Sequence, residues 1–175
     1  MIELLRQRKS IRSYTPQPIE DEKIELLKET VLLSPSSRRI NPWEFIFVTE
    51  TELIQKLAQA KQHGSAFLKE AALAVVVVGD QTKSDVWVED CSIASTLLQL
   101  TAQSLGLGSC WVQIRLRYHD ASTTSEKYVQ KLLNIPEPFC VESIIGIGYP
   151  SEHAVALPIK TLEYHKIHLN FFGKG

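Results

Sequence analysis

One run breaks every amphipathic rhythm in this chain. Ala71-Ala72-Leu73-Ala74-Val75-Val76-Val77-Val78 holds no polar residue. A strand from Leu73 to Val78 with no alternation is one covered on both faces, at the centre of a sheet. Trp43-Glu44-Phe45-Ile46-Phe47-Val48 is rich in aromatic and β-branched residues and reads as a second strand. Ser109 to Ile114 and Phe139 to Gly148 supply two more, the latter closed by Gly148-Tyr149-Pro150. Ile167-His168-Leu169-Asn170-Phe171 alternates like a short final strand.

Helical spacing fills most of the remainder. Residues 2 to 8 make a short helix with Ile2 and Leu5 on one side. Glu20, Asp21 and Glu22 place negative charge where a helix dipole favours it, and Ile24, Leu27 and Val31 share a face up to Leu33. Thr51 caps a helix from Glu52 to about Ala60, and Ser65 a short one over Ala66 to Glu70. Val86 to Leu105 is the strongest helix: one stripe is Ile93, Leu97, Leu100 and Ser104, widened by Ala94, Leu98, Thr101 and Leu105. A helix apolar over so wide a face is central or lies at a subunit interface. Gly106 stops it. Thr123-Thr124-Ser125-Glu126 fits a capping box that opens a helix through Leu133. Strands and helices do not alternate regularly. The expected fold is therefore α+β, with a mixed, mainly antiparallel sheet of four to five strands flanked by helices.

Composition narrows the class. The 175 residues, 44% apolar and 22% charged, fit a single domain spanning 1–175. A net charge of −1 gives no field for nucleic acid or an anionic membrane. The start of the chain lacks the pattern of a secretory signal, and the longest apolar run is too short to span a bilayer. Cys91, Cys110 and Cys140 are odd in number and contain no Cys-x-x-Cys pair, which suggests buried thiols in a reducing cytoplasm. No His-x-x-x-His or His-Glu-x-x-His pattern suggests a metal, and no Gly-x-Ser-x-Gly elbow suggests a hydrolase. Gly106-Leu107-Gly108 follows a helix and opens a strand, the reverse of a dinucleotide-binding loop. Gly146-Ile147-Gly148 opens no convincing helix.

Candidate chemistry concentrates in two stretches. Arg8-Lys9-Ser10-Ile11-Arg12 packs three cations and a hydroxyl into five residues. Arg8 and Arg12 share a face if the segment is helical. Guanidinium forks with a hydroxyl suit a phosphate oxyanion, although a solvated basic turn has the same composition. Ser34-Pro35-Ser36-Ser37-Arg38-Arg39-Ile40-Asn41-Pro42 is either a plain interhelical loop or a surface of amides and hydroxyls facing a planar polar ligand.

In order along the chain, these pieces resemble the FMN-dependent nitroreductase family, in its compact form. The resemblance is carried by Arg8 to Arg12, by Ser34-Pro35-Ser36-Ser37 leading into Pro42-Trp43-Glu44-Phe45, by Leu105-Gly106-Leu107-Gly108-Ser109-Cys110-Trp111, and by Ile144 to Pro150. It implies a homodimer with FMN at the subunit interface. Arg8, Lys9, Ser10 and Arg12 of one subunit would hold the ribityl phosphate. Pro35, Ser36 and Ser37 of the other would lie against the isoalloxazine. Trp111, Val112 and Gln113 would run along the ring and its N5 edge, and Lys160 would reach the phosphate. The final strand would cross onto the partner. Arg39 and Gln113 depart from the family's usual Asn and acidic residue. The implied activity is a ping-pong oxidoreductase that takes hydride from NADH or NADPH through flavin N5 to nitroaromatic or quinone-like acceptors. Alternatives are another reaction on the same flavin, such as dehalogenation or dehydrogenation, and a non-catalytic nucleotide or anion binder.

Overall fold

The computed structural model describes residues 1–152 and 158–174. Its centre is the apolar run seen in the sequence. Strand β2 (Leu73–Asp80) is buried along its whole length, and the four strands stand in the order β1-β2-β4-β3. The others are β1 (Trp43–Val48), β3 (Gly108–Gln113) and β4 (Phe139–Gly148), and all three pairings are antiparallel. The sheet is thus antiparallel throughout rather than mixed, and one isolated parallel bridge, Ser10 to Ser109, lies outside its strands.

Burial on both faces of β2 divides one strand between two cores. Ala74, Val76 and Val78 pack with Ile54, Leu57 and Val129, whereas Leu73, Val75 and Val77 pack with Leu27, Val31, Cys91 and Leu98. The two-residue period of a strand makes this division. Helices α3 (Thr51–Leu57) and α5 (Ser125–Leu133) therefore lie over one face, and α2 (Asp21–Leu32) and α4 (Trp87–Ser104) over the other. The short α1 (Ile2–Gln7) precedes them.

Three expectations change in detail. The capping box does not form as written. Thr124, not Thr123, caps α5 by accepting from the Lys127 N–H, and Glu126 instead accepts from the Val141 N–H of β4. The inward face of α4 is Cys91, Ala94, Ser95, Leu98 and Ala102, which leaves Ile93 exposed on the outer side. The final strand is absent. Asn170 and Gly173 adopt positive φ of 61° and 83°, and the Leu169 N–H bonds Lys174 O at 2.7 Å, so Ile167 to Phe171 ends in a tight turn. Its Leu169, Phe171 and Phe172 side chains are all exposed.

Candidate active site

The basic cluster is not helical. Arg8 ends α1 in an extended conformation (φ −60°, ψ 127°), and the chain then runs beside edge strand β3. The Ile11 N–H bonds Ser109 O at 2.9 Å, and Ile11 is buried while Ser10 and Arg12 are exposed. Extended backbone alternates its side chains. Arg8, Ser10 and Arg12 thus share a side by a period of two, with Ile11 as the anchor between them. Farther on, the Tyr14 hydroxyl donates to Ile11 O at 2.6 Å and Gly146 O at 3.2 Å.

The glycines excluded as a nucleotide loop explain this docking. A Cβ on Gly108 would meet three atoms of the Ile11 side chain at 2.9 Å, and one on Gly148 would meet Tyr14 at 3.0 Å. Each glycine is the space into which the arm's anchor fits. Gly108→Ala is therefore expected to cost about 1–3 kcal/mol through overpacking. The measurement is chemical denaturation. A loss confined to local amide protection over Ile11 to Thr15 would show the arm lifting off rather than global unfolding.

No ion pair within 4 Å involves Arg8, Lys9 or Arg12 among the described residues. The side that carries Arg8, Ser10 and Arg12 is therefore free to face an anion, while alternation puts the Lys9 side chain on the Ile11 side. The Cys110 thiol lies within reach of the same group. Burial pushes its pKa up, against the pull of Arg12, a Ser10 hydrogen bond and Arg8.

The second stretch is strained as well as polar. Arg38, Arg39 and Asn41 all have positive φ, of 53°, 56° and 50°. Such backbone persists in non-glycine residues only where surrounding bonds hold it, and it clusters at functional sites. Two ties do so here. The Ser36 hydroxyl donates to Asn41 Oδ1 at 2.6 Å and accepts from the Asn41 N–H at 2.9 Å. The Ser37 N–H donates to Asp90 Oδ1 at 2.8 Å, in the first turn of α4. Pro35 is exposed beside them.

Strand β3 connects the two regions. It is an edge strand, and beyond the Ser10 bridge its outer edge has no strand partner among the described residues. Such an edge presents free backbone donors and acceptors. Trp111 and Gln113 are half-buried on one face, joined by an indole N–H to Gln113 Oε1 bond at 3.0 Å. Val112 points the other way, into the core with Val76 and Ile144.

The model of the nitroreductase family matches residues 5–64 and 59–149, a span that includes the arm, the strained loop and β3. The chain belongs to the nitroreductase family. A protein of Archaeoglobus fulgidus provisionally named NADH dehydrogenase/NAD(P)H nitroreductase is 36% identical over 155 residues, 86% of each chain. The solved structure of an FMN-dependent nitroreductase from Clostridium difficile superposes with a TM-score of 0.97 at 43% identity, covering 98% of this chain and 100% of that one. An NADPH:FMN oxidoreductase of Vibrio harveyi shares the fold, with a TM-score of 0.81 at 23% identity over 99% of this chain and 78% of that one.

In this nitroreductase the two candidate regions do not meet within one protomer. Ser37 is tied to the first turn of α4, whereas Ser10 pairs with Ser109, just beyond the last. The 18 residues of α4 span about 27 Å at 1.5 Å per residue. Lys160 lies exposed in a short 3₁₀ turn, Ile159–Thr161, and makes no hydrogen bond or ion pair with the arm among the described residues.

Three further residues were missed by the sequence reading. Asp90, 3% exposed, holds the Ser37 loop with one oxygen while Oδ2 has no partner. Its signal was an acid in the first turn of an otherwise apolar helix. Leu116 has φ 58°, a left-handed conformation that a bulky side chain resists, and no acceptor faces its N–H among the described residues. Nothing in a Leu at that position announces it. Glu142 accepts the N–H groups of Ile114 and Arg115 with its main-chain carbonyl and so fixes the end of β3.

The Glu142 carboxyl is 2% exposed, accepts from the Ser92 hydroxyl at 3.4 Å, and leaves Oε2 unpartnered. Burial pushes its pKa above the ordinary 4.5, against the Ser143 and Ser92 hydrogen bonds and Arg115. Between 4.5 and that raised value, the native state holds a proton the unfolded chain has released. Stability therefore falls as pH rises through the window. Glu142→Gln removes this dependence, so its melting temperature should gain on the wild type as pH rises from 4.5 toward neutrality. Parallel curves for the two proteins would place the carboxyl's ionisation outside the stability balance.

Proposed function

We propose that this chain is an FMN-dependent NAD(P)H oxidoreductase that works as a homodimer and reduces nitroaromatic or quinone-like acceptors. The single observation that carries this is the extended arm. Arg8, Ser10 and Arg12, with Lys9 between them, form a cationic donor set without a carboxylate partner among the described residues, laid beside the open edge of β3. That chemistry fits a flavin phosphate at one end and a planar ring along the strand. When bound, FMN would supply the two-electron chemistry.

The protein's own task is then to bind and orient. The arm neutralises the phosphate. The half-buried face of Trp111 and Gln113 would carry the ring, and the Leu116 N–H, unpartnered among the described residues, would be a further donor near it. Val112 contributes backbone only, since its side chain is in the core. Pro35, Ser36 and Ser37 would reach the ring from a second copy, as the family resemblance implies; in one chain they stand at the opposite end of α4 from the arm. The outward Ile93 of α4 and the exposed apolar tail give that second copy a surface to cover. Lys160 joins the phosphate site in this arrangement, from the tail.

The deciding experiment is an absorbance spectrum of freshly purified protein, followed by anaerobic NADH and then NADPH. Flavin absorbance that bleaches with either donor and returns on adding a quinone supports the function. A yellow protein unmoved by both donors points to another reaction on the same flavin. A colourless protein that cannot be loaded with FMN defeats the flavin reading and leaves an anion-binding module.

A further inference from the structure

Beyond the end of β3 lies a cavity that shares only Leu116 with the proposed flavin site. It is open, about 430 Å³ in volume, and lined by Lys61, Gln62, His63, Leu116, Arg117 and Tyr118. These residues come from two loops that meet by specific bonds. The Gln62 N–H donates to Tyr118 O at 3.3 Å. His119 stacks on Tyr128 with ring centres 4.0 Å apart, and its Nδ1 lies 2.7 Å from Gln59 O. The Tyr128 hydroxyl reaches Lys56 O at 3.0 Å. The walls are thus held in place rather than only adjacent.

The cavity's charge is one-sided. Lys61, His63 and Arg117 line it with no acid among the lining residues, and none of the three has an ion-pair partner among the described residues. The nearest acid in sequence, Asp120, is committed elsewhere. Its Oδ1 accepts from the Ser122 N–H and the Thr123 N–H, both at 2.7 Å, and from the Ser122 hydroxyl at 2.9 Å. Arg117 spends one donor on Leu116 O at 2.9 Å and keeps the remainder of its fork. Burial and the Arg117 guanidinium both push the Lys61 pKa down. An arriving oxyanion would relieve that repulsion and accept from both side chains.

Position gives the cavity a use. A flavin whose phosphate sits at Ser10 and Ser109 and whose ring follows β3 reaches roughly 13 Å along the strand by Gln113, at about 3.3 Å per residue. Leu116, three residues on, lines the cavity and holds the strained φ of 58°. We propose that Lys61, His63 and Arg117 form an oxyanion subsite that selects substrates carrying a phosphate or carboxylate for the adjacent ring. The step from anion binding to substrate selection depends on the flavin function proposed for this chain. The anion binding itself does not.

Holoenzyme, Arg117→Ala, Lys61→Ala and Arg117→Lys would be compared on matched substrates. The acceptor arm sets 4-nitrobenzoate against neutral 4-nitrobenzyl alcohol. The donor arm sets NADH and NADPH against 1-benzyl-1,4-dihydronicotinamide, which lacks phosphate. In the alanine variants the KM ratio of charged to neutral substrate should rise about tenfold or more, as loss of a charged hydrogen bond implies, with Arg117→Lys recovering part. A rise confined to nitrobenzoate names the acceptor as the source of the anion, and one confined to the dinucleotides names the donor. Ratios that stay constant would overturn the subsite while leaving the flavin function intact. If the protein carries no flavin, calorimetric titration with inorganic pyrophosphate decides the matter. Weaker binding in Arg117→Ala keeps an anion site, and equal binding in both proteins removes it.

Discussion

Arg12→Ala is expected to lose FMN during purification that the wild type retains. Arg12 is exposed, lacks an ion-pair partner among the described residues, and stands one residue beyond the buried anchor Ile11. Its removal therefore takes away a charged donor without opening the core. A charged hydrogen bond contributes about 1.5–3 kcal/mol, so the dissociation constant should rise roughly ten- to 150-fold. Arg12→Lys keeps the charge and loses the planar fork, so it should fall between the two. Equilibrium dialysis against FMN measures this, with apoprotein melting as the control. The melting temperature should hardly move, because exposed side chains outside special sites change stability by only about 0.5 kcal/mol. Equal retention in all three proteins would return the cluster to a solvated basic segment.

This expectation depends on how the arm is held, and there sequence and structure part. That Arg8 to Arg12 offers donors suited to an anion was legible from residue types alone. How it does so was not. A spacing of four suggested a helical face, whereas the arm is extended and presents Arg8, Ser10 and Arg12 by a period of two. Local spacing could not choose between them, because the choice is made by a distant strand. Ser109 offers its carbonyl to Ile11, and Gly108 clears the space. The same distance in sequence hid the meaning of the two Gly-x-Gly pairs. Their neighbours argued against a phosphate loop, but a close approach by Ile11 and Tyr14 leaves no mark near residue 108 or 148.

The central strand was legible for the opposite reason. An unbroken apolar run has one stable environment, between two cores, so Leu73 to Val78 needed no tertiary information. The tail shows where alternation misleads. Ile167 to Phe171 has a strand's pattern, but Asn170 takes the left-handed conformation that Asn tolerates and Gly173 follows it, so the chain turns. Strain at Leu116 was invisible for a related reason, since a leucine carries no preference for positive φ. It directly follows the two N–H groups that Glu142 O holds, a contact distant in sequence.

Subunit mixing gives the largest contrast of all. The arm and the Pro35–Ser37 loop lie at opposite ends of α4 in one protomer, and the proposed dimer builds each pocket from the arm of one copy and the loop of the other. Ser37 bonds the fold through its backbone alone, its N–H to Asp90 Oδ1 and its carbonyl from the Ile40 N–H, so Ser37→Trp would fill the ring's space while the Asp90 tie stays available. Homodimers of Arg12→Ala and of Ser37→Trp should each bind FMN poorly, because every site carries one lesion. In a mixed dimer both lesions fall in one site, and the other site has an intact arm and an intact loop. Random co-refolding of the two should restore about a quarter of the wild-type flavin, since half the dimers are mixed and each regains one site. If arm and loop served the same pocket within one chain, mixing would restore nothing, because each chain would keep its own lesion. Flavin absorbance per chain, read before and after mixing, separates a shared pocket from a private one without any assumption about the acceptor.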